Sequence, residues 1–282
     1  MLNAVKIGCV IVSYNNGKLL EEAIMSVVTQ TRPVDEIIVA DDASTDGSRQ
    51  LTEALSRSYP SIKPVFRERN LGVSANRDLA MRDSAGDFIT WLDGDDCFLP
   101  TKIEAEADAI RGRQDAIAFS DVRISHRNQN GAQEFAIADF SRLAASDRVR
   151  WLLGRARPAP RSLLIPKNVH LRIGGYNHAL RTWEDWDYIL RLAAQPLCWV
   201  HSGTVGTVYH PGGGLSRQAP MEHMRDELRV LRLNHQMIRQ QVGLGVLLAT
   251  AGRVVAVASK WWMVGRYWHL TERVRGHNAP RD

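Results

Sequence analysis

Four short apolar runs, each ending in polar residues and separated by helical periodicity, constrain this chain more than any other feature. Lys6 to Ser13 reads as a continuous apolar run, the pattern of a strand buried on both faces. Leu19, Leu20, Ala23, Ile24, Val27 and Val28 then follow the three-and-four spacing of an amphipathic helix that ends before Pro33. Glu36 to Ala40 predicts a second strand, ending at Asp41-Asp42, and Ser44 or Thr45 is expected to cap a helix reaching about Arg57. Ile62 to Phe66 contains Pro64, which puts it near a sheet edge. Gly72 to Ser84 reads as helix and Asp87 to Leu92 as strand. Repeated strand–helix units of this length imply a mostly parallel sheet with right-handed crossovers.

The fourth run delivers Asp93-Gly94-Asp95-Asp96, three carboxylates within four residues. Open α/β sheets bind ligands at the carboxyl ends of their strands. Hard cations such as Mg²⁺ or Mn²⁺ take oxygen ligands and bridge carboxylates to substrate phosphates. On its own the turn reads equally well as a solvated acidic loop.

Beyond Pro100, Lys102 to Arg111 reads as helix and Ala116 to Ile124 as strand, whereas 125–145 shows no periodicity and is expected to be loop. Arg161 to Pro166 predicts a short strand. Trp183-Glu184-Asp185-Trp186-Asp187 opens a helix with Trp186, Ile189, Leu190 and Ala193 on one face. Cys198 to Tyr209 is strand-like and leads into His210 and a glycine run.

Composition narrows the class. The chain has 282 residues, 44% hydrophobic and 24% charged, as in soluble globular proteins. Its three cysteines have no metal-ligand spacing, which fits a reducing compartment, and no signal peptide is read at the N-terminus. The net charge of +5 resides in residues 221–282, where ten Lys/Arg face five Asp/Glu; the rest balances at 26 against 26. That distribution argues against nucleic-acid binding by the main body. There is no G-x-G-x-x-G after the first strand and no P-loop, so a nucleotide here would be held by side chains and a metal.

Val10-Ile11-Val12-Ser13-Tyr14-Asn15, Asp41 to Ser48, Asn70 to Arg77, Leu92 to Asp96 and Glu184 to Asp187 occur in this order. In that series the chain resembles family 2 glycosyltransferases with the GT-A fold over residues 5–217. The resemblance implies an α/β domain, 1–220, with a mostly parallel mixed sheet flanked by helices; beyond it, 221–282 reads from the sequence as a helical extension. The resemblance also implies inverting, hexosyltransferase-like transfer from a nucleotide-diphosphate donor, usually UDP-linked, with Mg²⁺ or Mn²⁺. By the same resemblance Tyr14 lies against the base, Asp42 hydrogen-bonds it, and the main chain at Val12 adds contacts. Arg77 meets the nucleotide and its phosphates, Asp93 the ribose or metal shell, and Asp95 is the principal metal ligand. Asp185 is the general base, with Glu184 and Asp187 as substitutes. His210 matches a position near the diphosphate or metal, and Ser216 and Arg217 reach phosphate.

The acceptor implied is a glycan or lipid-linked hydroxyl. Rival readings are a sugar-nucleotide nucleotidyltransferase and a non-catalytic sugar-nucleotide-binding protein. The extension carries Arg232, Arg239, Arg253 and Lys260 at multiples of seven, followed by Trp261, Trp262, Tyr267 and Trp268. Basic residues beside aromatics suit a helix in the headgroup region of an anionic membrane, and a packed or homo-oligomeric helix is the alternative. The expected location is cytoplasmic, peripheral on the inner face of the cell membrane.

Overall fold

A computed structural model describes residues 5–111, 113–127, 131–154, 159–211 and 220–257. Two compact units are present, Met1–Ser216 and Arg217–Asp282. In the first, β1 (Ile7–Ser13) is buried at every position and runs parallel to β2 (Glu36–Asp41) and to β4 (Phe88–Asp93). β3 (Ile62–Phe66) pairs with β2 on the outer edge, where Pro64 withholds no needed donor from an inner neighbour. The crossovers are α1 (Lys18–Val28), α2 (Ser48–Ser58) and α3 (Val73–Asp83). Leu20, Ala23, Ile24 and Val27 form the buried stripe of α1, as its spacing requires. Helix α2 begins later than expected. Gly47, in the left-handed region, occupies its cap position, and Ser44 instead accepts the Asn15 N–H at 2.9 Å.

Register, more than strand identity, builds the rim. Val12 lies opposite both Ala40 and Asp93, and Ser13 opposite Asp41. The ends of three parallel strands are therefore level, so Tyr14, Asp42 and the Asp93–Asp96 turn leave the sheet side by side.

A second sheet has the order β5-β9-β6-β7, formed by Cys97–Phe98, Cys198–Tyr209, Ala116–Ser125 and Ala132–Phe135. Helix α4 (Lys102–Ala109) lies between β5 and β6 in sequence. Cys97 pairs with Val208 and Ile124 with Tyr209, so the end of β9 and the turn after β6 both arrive at the Asp93–Asp96 turn. Residues 125–145 are not loop throughout. They hold β7, a 3₁₀ turn over Ala138–Arg142 and the start of α5 (Ala145–Gly154). β7 is an exposed hairpin edge with no buried face, so no apolar alternation marks it.

β8 (Ile165–Pro166) closes the first sheet antiparallel to β4, and an Ala118–Leu164 bridge joins the sheets. α6 (Lys167–Arg172) and α7 (Glu184–Ala193) follow, the latter burying Trp186, Ile189, Leu190 and Ala193. The second unit contains α8 (Pro220–Leu233), α9 (His235–Val242) and a helix over 244–257. Arg232, Arg239 and Arg253 are exposed there, and no described helix is long and apolar enough to cross a membrane. Lys260 and the aromatic residues after it lie outside the described residues.

Candidate active site

The Asp93–Asp96 turn is held from beneath by the sheet. Gly94 donates its N–H to the Val12 carbonyl at 2.9 Å. A Cβ at Gly94 would lie 2.8 Å from Asn16 Oδ1 and 2.9 Å from that carbonyl, so the turn can close only with glycine. From the side, two donors converge on the Asp95 carbonyl: Arg127 Nη2 at 3.0 Å and His210 Nδ1 at 3.1 Å. A carbonyl only accepts, so Nδ1 carries the proton and Nε2 the lone pair. The His210 main-chain N–H donates to Asp96 Oδ1 at 2.8 Å.

Carboxylates outnumber their donors at this turn. Burial, then Asp93, pushes the Asp95 carboxyl up. The same causes push Asp96 up to about 8. Burial and then Arg127 hold His210 below its ordinary range, which keeps the ring neutral. Neutral imidazole and hard carboxylate oxygens are a donor set that suits a divalent cation, whose charge would offset the repulsion. Among the described residues no three His, Cys, Asp or Glu form a self-contained metal group. A cation here would therefore draw further ligands from substrate.

The second carboxylate set begins α7. Glu184 is buried and paired with Arg77 Nη1 at 3.1 Å; burial and then Asp185 raise it to about 7. Asp185 is 41% exposed and lies 3.9 Å from Arg161. Asp187 is committed to Arg191 at 2.7 Å. Trp186 is buried with its indole N–H donated to the Leu152 carbonyl, so it packs rather than projects.

Arg77 ties the two sets together. Its Nη1 reaches Glu184 and its Nη2 reaches Asp93, with Tyr176 beneath the guanidinium at 5.1 Å. Burial opposes its charge, but Asp93, Tyr176 and Glu184 outweigh that and hold it firmly cationic. Expected beside the nucleotide's phosphates, Arg77 is 2% exposed and has both terminal nitrogens occupied. Asp42, expected at the base, accepts the Leu71 and Gly72 N–H groups at 2.8 and 2.9 Å and fastens the end of β2 to the start of α3. Tyr14 presents a ring that is 51% exposed. Ser216 and Arg217 lie outside the described residues.

Sequence reasoning missed Arg161, Tyr209 and Arg127. Arg161 reads only as the first residue of a short strand and Tyr209 only as the last residue of another. A backbone signal does mark the region. Among the described residues, the non-glycine residues at positive φ are Asn15, Ala43, Ser162 and Trp183 (54°, 65°, 48° and 61°). Each adjoins a rim residue: Tyr14, Asp42, Arg161 and Glu184. Strain of this kind costs about 1–3 kcal/mol per residue and gathers at functional sites.

A sheet of order β3-β2-β1-β4-β8, an acidic turn at its carboxyl edge and a second sheet folded onto that turn make up the GT-A arrangement. The fold matches a crystal structure of residues 1–349 of S. aureus TarS in complex with UDP-GlcNAc. The TM-score is 0.66 at 19% identity, covering 83% of this chain and 66% of that one. Residues 9–164 match the Glycosyl transferase family 2 model, and the chain belongs to that family. It is 28% identical over 188 residues to an uncharacterized glycosyltransferase of Haemophilus influenzae, covering 66% of this chain and 62% of that protein. It is also 35% identical over 99 residues to a cholesterol galactosyltransferase of Borreliella burgdorferi, covering 35% of this chain and 27% of that protein. The chain thus spans less than two thirds of the length of these relatives.

Proposed function

We propose that this protein is an inverting glycosyltransferase moving a sugar from a nucleotide-diphosphate donor, a UDP-sugar first among candidates, to a hydroxyl of a glycan or lipid-linked acceptor. One observation carries this reading: two carboxylate sets, Asp93–Asp96 and Glu184–Asp185, joined through the buried Arg77. Direct displacement needs one acidic group near the leaving diphosphate and a second to take the acceptor's proton.

Exposure selects the base within the second set. Glu184 is locked onto Arg77, whereas Asp185 is open to an incoming hydroxyl. Asp185 accepts the hydroxyl proton as that oxygen bonds to the anomeric carbon. The bond from that carbon to the diphosphate breaks from the opposite face, which inverts the configuration. Asp95 and Nε2 of His210 would hold Mg²⁺ or Mn²⁺, with Asp93 touching its shell or the ribose. When bound, the ion supplies positive charge that offsets the charge building on the leaving diphosphate. Tyr14 supplies an exposed ring for a base to stack on, and Asp42 keeps the neighbouring backbone fixed for it.

The test is turnover of a panel of nucleotide sugars with Mn²⁺, reading the released product. Nucleoside diphosphate is expected, and Asp185→Asn should lower turnover at least about a hundredfold while leaving donor affinity intact. Release of pyrophosphate would favour a nucleotidyltransferase, and donor binding without turnover a non-catalytic binder.

The basic, exposed face of α8 and the helices after it supports docking of residues 221–282 on an anionic membrane, where lipid-linked acceptors reside. Flotation with anionic but not neutral vesicles is expected; flotation with neither would argue for a protein partner, and equal flotation with both would remove the role of the basic face.

A further inference from the structure

Among the described residues three arginines reach the two carboxylate sets, and two are already committed. Arg77 is shared between Asp93 and Glu184 and is buried. Arg127 donates to Glu22 at 2.8 Å and to the Asp95 carbonyl at 3.0 Å. Arg161 differs from both. Its guanidinium carbon lies over the Tyr209 ring, 4.0 Å from the centroid, a contact that holds the group without using its N–H donors. Among the described residues its only ion pair is with Asp185 at 3.9 Å, beyond hydrogen-bonding distance. Its side chain is 35% exposed, so an incoming group can reach the unpaired edge.

Position adds to availability. Tyr209 immediately precedes His210, whose main chain and ring both bond the acidic turn. Arg161 is thus stacked at the same strand end that closes over Asp95 and Asp96. Burial opposes its charge, but Asp185 first, then Tyr209, Asp96 and Asp93, outweigh it and keep the guanidinium fully cationic. The next residue, Ser162, is held at a φ of 48°, so the backbone carrying Arg161 is strained into place.

The substrate chemistry supplies the need. A nucleoside diphosphate entering a rim that holds Asp93, Asp95, Asp96, Glu184 and Asp185 meets strong repulsion. A cation already neutralised by carboxylates contributes little against it, whereas a planar guanidinium with free donors can grip phosphate with two parallel hydrogen bonds. Resting on the nucleotide-sugar reading above, we infer that Arg161, carried on Tyr209, is the arginine that binds the donor's diphosphate, the part expected of Arg77.

Calorimetric titrations of the full chain with UDP and with uridine test this. Arg161→Met keeps an unbranched chain against Tyr209 and removes the fork. It should weaken UDP binding by roughly tenfold or more and leave uridine binding unchanged. Arg161→Lys should recover part of the loss, because it restores charge without the fork. Equal weakening of UDP and uridine would overturn the inference in favour of a packing role, and unchanged UDP affinity would overturn it outright. If the wild-type protein bound neither ligand, the nucleotide-sugar reading would fall first. Binding of both by wild type, with an unaffected Arg161→Met, would sink the Arg161 assignment alone.

Discussion

Asp78 and the Asp93–Asp96 turn use one residue type to opposite ends. Asp78, on α3, is 1% exposed, and its carboxylate is saturated. It accepts the Tyr176 N–H at 2.9 Å, Arg82 Nε at 2.8 Å and His178 Nε2 at 2.8 Å, with His170 Nε2 at 3.2 Å. Gly175 makes the approach possible, because a Cβ there would fall 1.8 Å from Asp78 Oδ1 and its φ is 70°. Burial works against the ionised form, yet His170, Arg82 and His178 hold the Asp78 carboxyl well below its usual range. At the acidic turn, burial and repulsion outweigh the single His210 N–H that Asp96 accepts, and both Asp95 and Asp96 are pushed up. A carboxylate surrounded by donors anchors the fold. One short of donors is where the proposed cation would supply positive charge.

That contrast can be broken by crossed substitutions. Asp95→Ala should reduce turnover at least about a hundredfold and leave the melting temperature unchanged or slightly higher, since it removes repulsion. Asp78→Ala should do the reverse in kind, destabilising by about 3 kcal/mol because it leaves Arg82 and the histidines without their shared acceptor. Comparable loss of stability in both variants, measured by denaturant unfolding, would erase the distinction.

Stability against pH should show the same opposition with smaller effects. Asp78 has a depressed carboxyl, so its contribution is fully present above the ordinary Asp value near ~3.9 and is lost as the pH falls through the lower folded value. Asp96 is raised, so without a bound cation the folded state loses stability as the pH climbs from about 4 to about 8. Asp78→Asn should therefore flatten the melting profile below about pH 4, and Asp96→Asn should flatten it between about pH 4 and about pH 8. A profile unchanged by either substitution would contradict both assignments.

The sequence made the first sheet readable because its strands are buried on both faces and its helices carry one apolar stripe. Strand ends could be named, and hence the level rim that gathers Tyr14, Asp42 and Asp93. The hairpin strand β7 escaped notice because an exposed edge imposes no pattern on Ala132–Phe135. The two-residue strand β5 is too short to show a period, yet it is what brings His210 to Asp96. Arg161 escaped for another reason. Its place depends on Tyr209, 48 positions away in the sequence, and no local spacing encodes a contact of that range.

The central claim is that the Asp93–Asp96 turn holds a nucleoside diphosphate through a divalent cation, and metal-dependent binding of UDP tests it most directly. Titrated with UDP, the wild-type protein should bind at least about tenfold more tightly with Mn²⁺ than with chelator, and Asp95→Ala should lose that difference while still folding. UDP affinity that is the same with and without Mn²⁺ in the wild-type protein would contradict the account.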